Sequence, residues 1–108
     1  MTKPVVFISG PMSGYPNLNR EAFHEAARLA ESLGYTVLNP ALLPGGLPED
    51  SYMPICFSML DAADCIYILP NSGDHLGAIL EQQHAAALGL KRIETESELR
   101  RYIKNGKF

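Results

Sequence analysis

Cys65-Ile66-Tyr67-Ile68-Leu69, then Pro70-Asn71-Ser72-Gly73-Asp74-His75, then Leu76-Gly77-Ala78-Ile79-Leu80-Glu81-Gln82-Gln83-His84-Ala85 reads as strand, turn and helix in a single pass. The first five residues are an apolar run of buried-strand type, the next six are rich in turn formers, and the last ten are apolar apart from a few polar positions. The same alternation extends in both directions. Residues 4–9 form a β-branched and aromatic run closed by Gly10-Pro11, and Asn17 or Asn19 is placed to cap a helix. In that helix Phe23, Ala26, Ala27, Ala30 and Leu33 recur at helical spacing until Gly34. Residues 35–38 read as a second strand and 91–94 as a fourth. Asp50 or Ser51 is placed to cap a helix with Pro54 in its first turn, where a missing N–H costs little. Thr95 with Glu98 makes a capping box for a last helix that carries Leu99, Tyr102 and Ile103 inward. Alternating short strands and helices predict a doubly wound, Rossmann- or flavodoxin-like α/β fold: a parallel sheet of about four short strands with helices on both faces.

The 108 residues predict one domain spanning positions 1–108. A composition of 46% hydrophobic and 19% charged residues is that of an ordinary globular chain, with no repeat or low-complexity tract. The net charge of −3 and a pI near 5.5 lack the basic excess of a duplex-binding protein, so nucleic acid is not an expected partner. No apolar run has transmembrane length, and Met1-Thr2-Lys3-Pro4 leads straight into an apolar strand where a signal peptide would carry a longer core. No membrane partner and a cytoplasmic location are therefore expected. Cys56 and Cys65 lack metal-ligand or disulfide spacing and read as buried small hydrophobes, so neither metal nor cofactor is expected. Met53, Ile55, Cys56, Phe57, Met59 and Leu60 cover more than one stripe of their helix. One side of it is expected to meet a second copy, giving a homo-oligomer, a dimer or tetramer. The glycine- and proline-rich residues 39–48 read as a substrate loop or a connector.

In such sheets ligands sit at the carboxyl ends of the strands. The first strand delivers Ser9, Gly10, Met12 and Ser13 there, the second Asn39, and the third Asn71 and Ser72, with His75 and Gly77 opening the helix beyond. Helical side chains lean toward their own N-terminus, so Glu81 points back over Gly77. A glycine in a first turn costs up to about 1 kcal/mol against alanine, which open space before a reacting carboxylate would explain. The competing reading makes Glu81 a solvated surface residue. Asp64 begins its strand, where a helix-terminating role competes with a catalytic one.

Together, Phe7-Ile8-Ser9-Gly10-Pro11-Met12-Ser13-Gly14, Leu60-Asp61-Ala62-Ala63-Asp64-Cys65-Ile66-Tyr67 and the Leu76 to Ala85 run resemble the nucleoside 2-deoxyribosyltransferase family. The chain is most similar to a small branch found in phages and bacteria, and more distantly to deoxynucleoside 5'-monophosphate N-glycosidases. The resemblance implies that Gly10 contacts the nucleotide, that Glu81 attacks C1' of the deoxyribose and that Asp64 assists the base. Two positions depart from it: Phe7 stands where the transferases carry a tyrosine, and His75 where they carry an aspartate and the monophosphate hydrolases a serine. Pro11 and Ser13 replace the hydrolases' serine and arginine, so Ser9, Ser13, Arg20 or the N–H groups opening the Glu81 helix are left to meet a phosphate.

The implied chemistry suits the residues. Breaking an N-glycosidic bond builds oxocarbenium character at C1', which a carboxylate stabilises or captures. The expected function is cleavage or transfer at the N-glycosidic bond of a nucleoside or nucleoside 5'-monophosphate. The alternative is a catalytically silent nucleotide-binding or sensing module.

Overall fold

The computed structural model describes residues 3–106, so Met1 and Thr2, at the start read as leaderless, lie outside the described residues. Eight principal elements alternate: β1 (Val5–Ser9), α1 (Arg20–Leu33), β2 (Thr36–Leu38), α2 (Glu49–Asp61), β3 (Cys65–Ile68), α3 (Leu76–Leu88), β4 (Lys91–Ile93) and α4 (Glu96–Asn105). All strands are parallel, in the order β2-β1-β3-β4.

Alternation along β1 divides the core into two layers. Val6 and Ile8 face one side, where they meet Ala30 and Phe23 of α1 and Leu99 of α4. Phe7 faces the other side, against Cys56 and Leu60 of α2 and Ala85 of α3. Both faces are thus covered by helices, as the alternating pattern requires. Because α1 and α3 leave the sheet toward opposite faces, the adjacent ends of β1 and β3 border a crevice. That is the topological switch point at which open α/β sheets bind ligands. Among the described residues no helix is long and apolar enough to cross a membrane.

Local rules hold at several element ends and fail at others. Thr95 Oγ1 accepts from Glu98 N at 3.1 Å, and the Glu98 carboxylate accepts from Glu94 N at 3.3 Å. Asn19 does precede α1, but its left-handed backbone (φ 59°) takes its side chain away from the helix, and Nδ2 donates to Pro11 O at 2.9 Å. The side chain staples the β1–α1 loop and caps nothing. Helix α2 begins at Glu49, before the expected caps Asp50 and Ser51, so Pro54 lies inside it, beyond the first turn. Residues 39–48 are tied down at two points. Asn39 Oδ1 accepts from Ala41 N at 3.0 Å to start a 3-10 turn, and Tyr52 Oη on α2 donates to Pro44 O at 2.7 Å.

Candidate active site

Along α3 the residues that face the sheet are Ala78, Glu81 and Ala85, spaced three and four apart. Glu81 is therefore on the inward stripe and only 7% exposed, which overturns the reading of it as a solvated surface residue. Its partner comes from β1: Ser9, fully buried at the carboxyl end of that strand, donates from Oγ to Glu81 Oε1 at 2.7 Å. The pair joins residues 72 positions apart and sits at the β1 side of the switch point.

Burial raises the Glu81 carboxyl to about 7, against the hydrogen bond from Ser9, which favours the charged form. The buried Cys56 thiol of α2 is pushed up to about 12, by burial first and then by the negative charge of Glu81. It stays protonated and inert as a nucleophile at neutral pH. Ser9 was not expected in this role, as the partner of Glu81. The period-two alternation that turns Phe7 toward α2 and α3 also turns Ser9 there, and Cys56 and Leu60 share one face of α2 at four-residue spacing.

The glycines act differently. A Cβ at Gly77 would meet only Met53 Sδ, at an ordinary 3.9 Å, so the start of α3 is open, as expected. A Cβ at Gly10 would fall 2.9 Å from that of Leu69. Gly10 is thus required by the close packing of β1 against the end of β3. Met12 is half-buried against the Ile8 and Phe23 cluster, and Ser13 is exposed.

Beyond β3, Asn71 takes a left-handed turn (φ 69°), and Ser72 is buried with Oγ donating to Leu69 O at 2.6 Å, so that hydroxyl is occupied internally. His75 precedes α3 without capping it, and its ring lies 5.5 Å from that of Tyr15, bridging the β1–α1 and β3–α3 loops. Asn39 Nδ2 pairs with His24 Nδ1 at 3.1 Å, between the end of β2 and α1. A cavity of about 280 Å³ opens on the far side of the β3–α3 loop, lined by Asn71, Ser72, Gln82, Arg92 and Glu94 among others. Glu81 does not line it.

Asp64 requires a correction. It lies at the amino end of β3, where Oδ2 accepts from Val5 N at 2.8 Å and its N–H donates to Val5 O at 2.8 Å. Ser9 is four residues further along β1, roughly 13 Å at about 3.3 Å per residue. Asp64 therefore holds the opposite edge of the sheet and cannot share a substrate's base with Glu81. Its carboxylate satisfies the first N–H of β1, which has no ladder partner there.

The family described as a domain of unknown function, DUF4406, matches residues 4–94, which spans the whole sheet and α3 with Glu81. The chain belongs to the DUF4406 family. No curated protein matches its sequence. Among solved structures the DUF4406 chain is similar to a 2-deoxyribosyltransferase from Leishmania mexicana, with a TM-score of 0.69 and 19% identity over 84% of this chain. The match covers 63% of that transferase, so the DUF4406 chain spans less than two thirds of its length. The α/β architecture is common to both.

Proposed function

We propose that this DUF4406 protein cleaves, or transfers at, the N-glycosidic bond of a (deoxy)nucleoside or nucleoside 5'-monophosphate, with Glu81 as the nucleophile. The observation that carries the reading is a buried carboxylate, oriented by Ser9, at the β1–β3 switch point of a transferase-like fold. In its ionised form a Glu81 oxygen bonds to C1' as the C1'–N bond breaks. The bonding pair leaves with the base, which takes a proton from solvent. Water, or a second base, then attacks C1', gives up its proton to solvent and releases the carboxylate. Because burial holds Glu81 near 7, the reactive anion is the minor form in acid, and the rate should climb as pH rises through that value.

A monophosphate is favoured over a nucleoside by Arg20. Its Nε is buried with no hydrogen-bond partner at the start of α1, directly after the β1–α1 loop. A buried unpaired donor is costly, and an anionic group would relieve it. Arg20→Gln is expected to weaken binding of a 5'-monophosphate about tenfold, or about 1.4 kcal/mol, while leaving the nucleoside nearly unaffected. Calorimetric titration of both ligands checks this, and equal losses for the two would refute it.

A homo-oligomer belongs to the same reading, since Met53, Ile55, Phe57 and Met59 on α2 stay half-buried and Leu76 and Leu42 are 70% and 74% exposed. A single-protomer mass by light scattering at micromolar concentration would remove it. The second function, a silent nucleotide-binding module, is favoured by Asp64 lying at the wrong edge, which leaves the departing base without its assigned acid. Tight nucleotide binding with no base released decides for that module.

A further inference from the structure

We propose that the cavity between the end of β3, α3 and the edge strand β4 is a second binding site, one that takes a neutral oxopurine base. Its occupancy does not depend on the chemistry assigned to Glu81. Alternation along β4 creates the site. Ile93 turns into the core beside Leu99, so Arg92 and Glu94 turn to the face that α3 covers. Gln82 follows Glu81 by one residue, about 100° further round the helix, and meets β4 where Glu81 meets β1. There Arg92 Nη1 donates to Gln82 Oε1 at 2.9 Å, and Arg92 Nε donates to Glu94 Oε2 at 3.2 Å.

These contacts orient the guanidinium without exhausting it. Nη2 and one Nη1 hydrogen remain to donate, the Gln82 amide nitrogen is a further donor, and Glu94 keeps an oxygen to accept. The Arg92–Glu94 pair is half-exposed, where an ion pair contributes little to the fold, so a ligand can share it at little cost. The two charges cancel. A phosphate or carboxylate would meet Glu94 as well as Arg92, and a cation would meet Arg92, so the lining selects a neutral ligand. Ile68 and Leu69 add an apolar wall that suits the face of a ring, and the cavity of about 280 Å³ lies just below the roughly 300 to 1,000 Å³ of sites for drug-sized ligands. That volume suits a free base better than a whole nucleotide. A guanidinium pairs with the adjoining acceptors O6 and N7 of an oxopurine, and the ring N–H next to O6 is then left for a carboxylate.

The test is a nitrogen-15 NMR titration of wild type, Arg92→Ala and Glu94→Ala with hypoxanthine, adenine and inorganic phosphate. It is read at the Arg92 side-chain N–H and at the backbone amides of Asn71, Gly73, Arg92 and Glu94. Both substitutions lie on an exposed edge, and circular dichroism verifies the fold. Hypoxanthine should give saturable shifts at these positions in wild type and bind at least about tenfold more weakly to Arg92→Ala, the loss expected for one bidentate contact. Adenine carries an amino donor where hypoxanthine has O6, and should bind wild type at least about tenfold more weakly than hypoxanthine does. Glu94→Ala should lose affinity for hypoxanthine and gain it for phosphate, because Arg92 is then unopposed. Shifts confined to Gly10, Gly77 and Glu81 would put the base in the crevice and overturn the second site. Equal binding of adenine, unchanged binding in Arg92→Ala, or no saturable shift would overturn it too. Saturable binding of hypoxanthine here, in a protein that releases no base, would uphold the site and reject only the enzymatic reading of Glu81.

Discussion

Glu81→Gln is expected to fold and to release base at least about a thousandfold more slowly than wild type. The substitution keeps the volume and polarity of the side chain and still accepts from Ser9 Oγ, 2.7 Å away in the wild type. It loses the negative charge, and with it both the bond to C1' and the stabilisation of positive charge in the transition state. Removing one preorganised electrostatic partner costs about a hundred- to a thousandfold, and removing the nucleophile itself costs more. Asp64→Asn serves as the control in the same assay. It disturbs an edge contact to Val5 N, so kcat should stay within about twofold of wild type and any loss should fall on stability. Comparable turnover by Glu81→Gln and wild type would remove Glu81 from the chemistry; a large loss in Asp64→Asn would mean that the sheet edge, not the switch point, holds the site.

The fold was legible because it rests on local signals. Apolar runs of three to five residues, punctuated by Gly10-Pro11, Gly34 and Pro70-Asn71, mark strand and turn whatever their neighbours do, and their alternation with helices implies parallel pairing. The helix boundaries were harder. Asn19 looks like a cap and acts as a loop staple, because capping requires an extended backbone and Asn19 is left-handed. Pro54 reads as a first-turn residue, yet α2 reaches back to Glu49 and packs well enough to carry a proline in its interior.

The site was half legible for a related reason. Glu81 and Gly77 lie within one helical turn, so spacing alone relates them, and the inward stripe of α3 then explains the burial. The Ser9–Glu81 bond crosses 72 residues and depends on α3 packing over the face of β1 that Ser9 shares with Phe7, which the connectivity of the whole sheet decides. Asp64 failed in the opposite direction. Its motif suggested a role at the base, whereas its place at the head of β3 set it against the far edge. In a parallel sheet, the end of the strand on which a residue lies outweighs the motif in which it occurs.

Stability should respond to Glu81 with the sign opposite to that of a salt-bridged carboxylate. In the unfolded chain Glu81 titrates near 4.5, and in the fold burial raises it to about 7. Below both values each state holds the proton, so pH has no leverage through this group. Between them the folded state keeps a proton that the unfolded state has released, so stability falls as pH rises and levels off above the folded value. The full difference, on the order of 3 kcal/mol, is reached near pH 8. Glu81→Gln removes that cost, because a neutral amide has nothing to ionise. The variant should therefore be more stable than wild type at pH 8 by roughly that amount, and about equal to it at pH 4.5, where the wild-type carboxyl is protonated in the fold. Urea denaturation of both proteins at the two pH values measures the difference directly. A gain in stability on losing the carboxylate, paired with a loss of turnover, is the signature of a charge kept for chemistry at the expense of the fold. An unchanged or lower stability at pH 8 would show that the Ser9 hydrogen bond fully offsets the burial, and that Glu81 ionises well below neutrality.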